Sequence, residues 1–70
     1  MAEVKVLYDT EGKTLTVWFT DSREESVCEE TGDEVVLIKD ASGRVVGFEK
    51  LNFSVADPEM LRVAFEKVPA

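Results

Sequence analysis

Val35-Val36-Leu37-Ile38-Lys39-Asp40-Ala41-Ser42-Gly43-Arg44-Val45-Val46-Gly47-Phe48-Glu49 decides the fold. Two apolar arms flank an Asp-x-x-Gly turn, with Asp40 at its first position and Gly43 where the backbone must take a positive φ, and this pattern specifies a β-hairpin. A four-residue loop pairs Val35 with Phe48 and Leu37 with Val46 on one face, and Val36 with Gly47 and Ile38 with Val45 on the other. Both faces are apolar, so a sheet built on this hairpin needs cover on both sides. Gly47, inside a strand, is predicted to mark a bulge or the close approach of another element.

Upstream, Val4, Val6 and Tyr8 alternate with Lys5 and Leu7. Asp9-Thr10-Glu11-Gly12 then interrupts, and Leu15, Val17 and Phe19 alternate with Thr14, Thr16, Trp18 and Thr20. This is a first hairpin. If Asp9 to Gly12 form the loop, Val6 faces Leu15 and Val4 faces Val17, which gathers the apolar side chains on one side. Trp18 falls on the other side and is expected to lie beneath something. Between the hairpins, residues 21–30 are the most charged stretch, read as a crossing loop with a short edge strand near Ser26 to Glu29, and Thr31-Gly32-Asp33 closes it as a turn. Downstream the period changes. Asp57 can cap a helix, Pro58 suits its first position, and Leu61, Ala64, Phe65 and Val68 fall at i, i+3, i+4 and i+7, so a helix is predicted over 57–68 before Pro69.

The predicted fold class is therefore α+β, mostly β: an antiparallel β-meander of four to five strands over 4–54 with one short C-terminal helix packed on one face. The 70 residues are read as a single domain, 1–70. At this size a single core leaves little net stability, and with one cysteine and no histidine neither a disulfide nor a structural zinc site can supplement it. Self-association is the expected supplement. One helix covers one face of the sheet, so Trp18, Val36, Ile38, Val45 and Gly47 are predicted to form a homodimer interface.

The net charge of −7 disfavours nucleic acid and anionic membranes as partners, and no apolar run approaches the roughly 20 residues that span a bilayer. The start lacks the pattern of a signal peptide, which makes the cytoplasm the expected location. Glu24, Glu25, Glu29 and Glu30 form a candidate surface for a basic protein partner. Glu24, Glu25, Glu29, Glu30, Asp33 and Glu34 do not have the one-three-five ligand spacing of a calcium loop, and no metal or other cofactor is expected. Cys28 lies among acids, which disfavour the thiolate, and there is no histidine to activate it. No catalytic residue is assigned and the chain is expected not to be an enzyme. Glu49 is the one candidate functional acid, because it interrupts an apolar strand, where a lone carboxylate is costly to bury. Asn52 and Ser54 read as ordinary turn formers.

The run Gly43 to Ser54, with Gly47-Phe48-Glu49 at its centre and Val6-Leu7-Tyr8-Asp9 and Leu15 to Phe19 upstream, resembles a small prokaryotic domain-of-unknown-function family, number 2283. The chain departs from the family pattern at Lys13-Thr14, Lys39 and Lys50. The resemblance implies a small β-rich cytoplasmic protein without an established activity. For some relatives it also implies a gene position suggesting an antitoxin-like partner of a small basic toxin. Three functions are thus expected in order: a self-associating interaction module, an acidic inhibitor of a basic protein, and a carboxylate-based metal or ligand binder.

Overall fold

A computed structural model describes residues 3–20 and 27–69. Five strands, β1 (Lys5–Asp9), β2 (Thr14–Trp18), β3 (Val27–Glu30), β4 (Val35–Lys39) and β5 (Val45–Lys50), form one antiparallel sheet in the order β1-β2-β5-β4-β3. This is not a simple meander. β3, β4 and β5 follow one another, but the first hairpin joins them through β2 against β5, and β3 enters at the far edge. The edge strand expected near Ser26 to Glu29 is present as β3, exposed along its whole length.

Both hairpins close later than the simplest loop count, and apart from Val45 and Val46 both keep their faces. In the first, Asp9 pairs with Thr14, so Tyr8 meets Leu15 and Val6 meets Val17. The shift is two residues, and a two-residue slip leaves every side chain on its own face. Asp9 Oδ1 accepts from the Glu11 and Gly12 amides at 3.0 and 2.9 Å. The positive φ of this turn falls on Lys13 (57°), not on Gly12. In the second hairpin Gly43 takes the positive φ (89°) as expected. There Lys39 pairs with Val45, and a bulge follows before Ile38 pairs with Gly47, Leu37 with Phe48 and Val36 with Glu49. One residue added by the turn would invert the faces, and one more added by the bulge restores them.

The bulge decides the core. Across β2, β5 and β4, Trp18, Gly47 and Ile38 stand in one row. With the alternation broken next to Gly47, Val46 rather than Val45 joins Trp18 and Ile38 in the buried cluster. Both expectations for Gly47 are met. The bulge adjoins it, and a Cβ there would lie 2.5 Å from the Val17 carbonyl oxygen and 3.3 Å from Cε3 of the Trp18 indole.

The predicted C-terminal helix does not form. Asp57 caps as anticipated, with Oδ1 accepting from the Glu59 amide at 3.2 Å, and Pro58 occupies the first position, but the result is a single 3-10 turn, Pro58–Met60. Leu61 is already extended (ψ 130°). Beyond it the apolar residues stand in solvent, Phe65 being 92% exposed. The signals that start a helix are local and are satisfied; a segment this short propagates only against a surface, and residues 62–69 stay exposed.

Gly47→Ala is expected to destabilise the fold by about 1–3 kcal/mol, since the added carbon meets backbone rather than a movable side chain. Urea unfolding followed by β-sheet circular dichroism should show the lowered midpoint.

Candidate functional site

Strand register divides the sheet into two faces. One, the tryptophan face, presents Leu7, Thr16, Trp18, Gly47, Glu49, Val36, Ile38, Cys28 and Glu30. The interface predicted from sequence lay mostly here. Trp18, Ile38 and Gly47 are buried within the single chain and Val36 is half-buried, so they offer little free surface. Val45, the fifth member, is exposed, but the bulge sets it opposite Lys39 rather than Ile38.

The other, the phenylalanine face, is the open one. Val6, Val17, Phe48 and Leu37 stand side by side across β1, β2, β5 and β4, and all four are only half-buried. In a sheet with cover on both sides, residues of the central strands would be shut off from water. Val4, Phe19, Val27 and Val45 continue the apolar surface at one end and are exposed. Phe19 packs against Phe48 with ring centroids 6.1 Å apart. At the opposite end this face is partly closed. Phe53 meets the ring of Tyr8 edge-on at 5.5 Å, and the Val55 amide donates to the Tyr8 hydroxyl at 3.1 Å.

That closure depends on contacts the sequence reading missed. After β5 the Leu51 amide donates to the Glu34 carbonyl at 2.7 Å and the Phe53 amide to the Lys13 carbonyl at 2.8 Å, which ties the chain to two turns at one end of the sheet. Glu34, Lys13 and Asn52, between or beneath these bonds, all have positive φ. Asn52 was the available signal, because asparagine tolerates this region better than most side chains. Lys50 Nζ reaches Glu34 Oε2 at 3.2 Å and donates to the Leu51 carbonyl at 2.6 Å. The Lys50 ammonium, with help from Asn52, holds the Glu34 carboxyl below its ordinary value.

The acids do not converge. Glu24 and Glu25 lie outside the described residues. Glu29 is ion-paired with Lys39. Glu30, exposed and opposite Val36, borders a shallow hollow of about 90 Å³ that it shares with Gly32, Glu34, Val35, Val36 and Leu51. Glu49 is half-buried in the central strand, where its Oε2 accepts from the Thr16 hydroxyl at 3.3 Å. It thus stands beside a threonine of the same chain and not at the sheet's end. Among the described residues no three His, Cys, Asp or Glu side chains are grouped as a metal would need.

The Asp40 turn gives a titration that can be checked. Asp40 Oδ1 accepts from the Ser42 hydroxyl at 2.6 Å and from the Arg44 amide at 3.0 Å, and these donors hold the carboxyl below the usual aspartate value. A carboxyl lowered in the folded state adds stability at pH above its unfolded value, and that stability is lost as pH falls through the lowered one. Ser42→Ala is expected to move the Asp40 titration upward, as read by carboxyl-carbon NMR, and to weaken the dependence of stability on pH in that acid window.

No curated protein and no solved structure matches this chain. The model of one family, a protein of unknown function, covers residues 5–54. That stretch runs from the first residue of β1 through the β5 strand and the Leu51–Phe53 segment that closes the end of the sheet. The chain belongs to this family, DUF2283.

Proposed function

We propose that this protein is a non-enzymatic interaction module that works as a homo-oligomer, in the first place a dimer, in the cytoplasm. Surface area carries the reading. The chain exposes 5818 Å², whereas a compact monomer of its 7.8 kDa exposes about 4,400 Å². Its radius of gyration is 13.4 Å, against about 11 Å for a compact chain of this length. The excess, about 1,400 Å², is of the size one partner contributes to an obligate interface, which totals about 2,000–5,000 Å². The exposed residues include Val4, Phe19, Val27, Val45, Phe65 and Val68, and exposed apolar side chains draw proteins together.

A second reading, an acidic inhibitor of a basic protein, is supported by the net charge of −7 and by Glu29 and Glu30 on a fully exposed edge strand. It is weakened by the pairing of Glu29 with Lys39. The carboxylate-based metal or ligand binder gains nothing from the placement of Glu49.

Sedimentation equilibrium from micromolar to millimolar concentration is expected to give a particle of twice the 7.8 kDa chain mass. A particle of single-chain mass throughout that range would count against the self-association reading. If the second reading holds instead, neutralising Glu24, Glu25, Glu29 and Glu30 together should weaken capture of a basic partner at low salt.

A further inference from the structure

We infer that the phenylalanine face is covered by residues 61–68 of a second copy of the chain, docked as an amphipathic helix, with the exchange made in both directions. The inference rests on the self-association proposed above and names the surfaces that carry it. Among the described residues two apolar surfaces lack a counterpart: the face bearing Val4, Phe19, Val27 and Val45, and the segment bearing Phe65 and Val68. A face and a stripe of this kind are what a helix and a sheet bury against each other.

The local start signals are in place. Asp57 and Pro58 cap a single 3-10 turn that ends at Leu61, and in a helix Leu61, Ala64, Phe65 and Val68 would share one side. A short helix of this kind is marginal until its apolar side is buried, and docking supplies that burial. As a helix, residues 61–68 would extend about 12 Å at 1.5 Å per residue. The row Val6, Val17, Phe48 and Leu37 measures about 14 Å from β1 to β4 at the usual strand spacing, so one helix covers most of it.

A second copy is favoured over an unrelated partner by area. A reciprocal exchange removes apolar surface from both chains by one set of contacts and closes with twofold symmetry, and the excess of about 1,400 Å² per chain is of the size such an interface takes up. Within one chain the segment runs clear of that sheet, with Val68 83% exposed.

The test uses the full chain and two paired substitutions, Phe65→Gln/Val68→Gln in the tail and Val27→Gln/Val45→Gln on the face. All four residues are exposed in the single chain, so the sheet should be kept, and glutamine leaves the charge unchanged and, in the tail, does not lower the helix propensity. Each pair is expected to raise the dimer dissociation constant about a hundredfold or more. The helical circular dichroism of the wild-type dimer should fade on dilution. Mixing the two variants should restore a mixed dimer, because one intact face then meets one intact tail. If both variants dimerise like the wild type, the tail exchange is wrong while self-association stands. A wild-type chain that stays monomeric at every concentration overturns both readings, and a helical monomer would place the tail on its own sheet.

Discussion

The approach of Trp18 to Gly47 is the contact on which the rest of the sheet depends. Gly47 lies in β5, which pairs with β2 on one side and β4 on the other. A side chain there would collide with the Val17 carbonyl and the indole. With hydrogen in its place, the two hairpins can lie edge to edge, and Trp18, Ile38 and Val46 close over the junction as one buried cluster. Each hairpin alone would be a two-stranded ribbon, marginal in water. Joined through β2 and β5, with β3 added against β4, they become a five-stranded sheet with a buried centre.

A second constraint acts at the end of the sheet. The strand after Lys50 must turn, and Asn52 does so at positive φ while its neighbours Leu51 and Phe53 donate to the carbonyls of Glu34 and Lys13. Those two turn residues are themselves at positive φ, so three non-glycine residues hold less favoured backbone where these bonds collect. The outcome is that Phe53 and Val55 close over Tyr8. Cover reaches that end of the phenylalanine face and leaves its middle and far end open.

The fold is thus asymmetric in how it meets water. The tryptophan face keeps its large apolar side chains under cover, with Leu7 as the exception, whereas the phenylalanine face and the tail keep theirs in solvent. A chain of this size has little stability to spare, and burying that surface against another chain adds to it without a longer sequence.

Strands, turns and, apart from Val45 and Val46, the membership of each face were legible in the sequence, because a period of two survives the two-residue register errors at both hairpins. Gly47 announced its role for a similar reason: a glycine within an apolar strand has few local justifications. The C-terminal helix expected over 57–68 is absent, and only the Asp57 cap and a single turn from Pro58 to Met60 are present. Asp57, Pro58 and the apolar stripe are local signals, and a helix this short requires a surface that no local pattern guarantees. Tertiary structure alone decided the strand order β1-β2-β5-β4-β3, the bulge that moved Val45 away from Ile38, and which face was left open. These rest on hydrogen bonds and packing between residues far apart in the chain, such as Trp18 with Gly47 and Lys13 with Phe53, where sequence periodicity carries no information about which strand becomes whose neighbour.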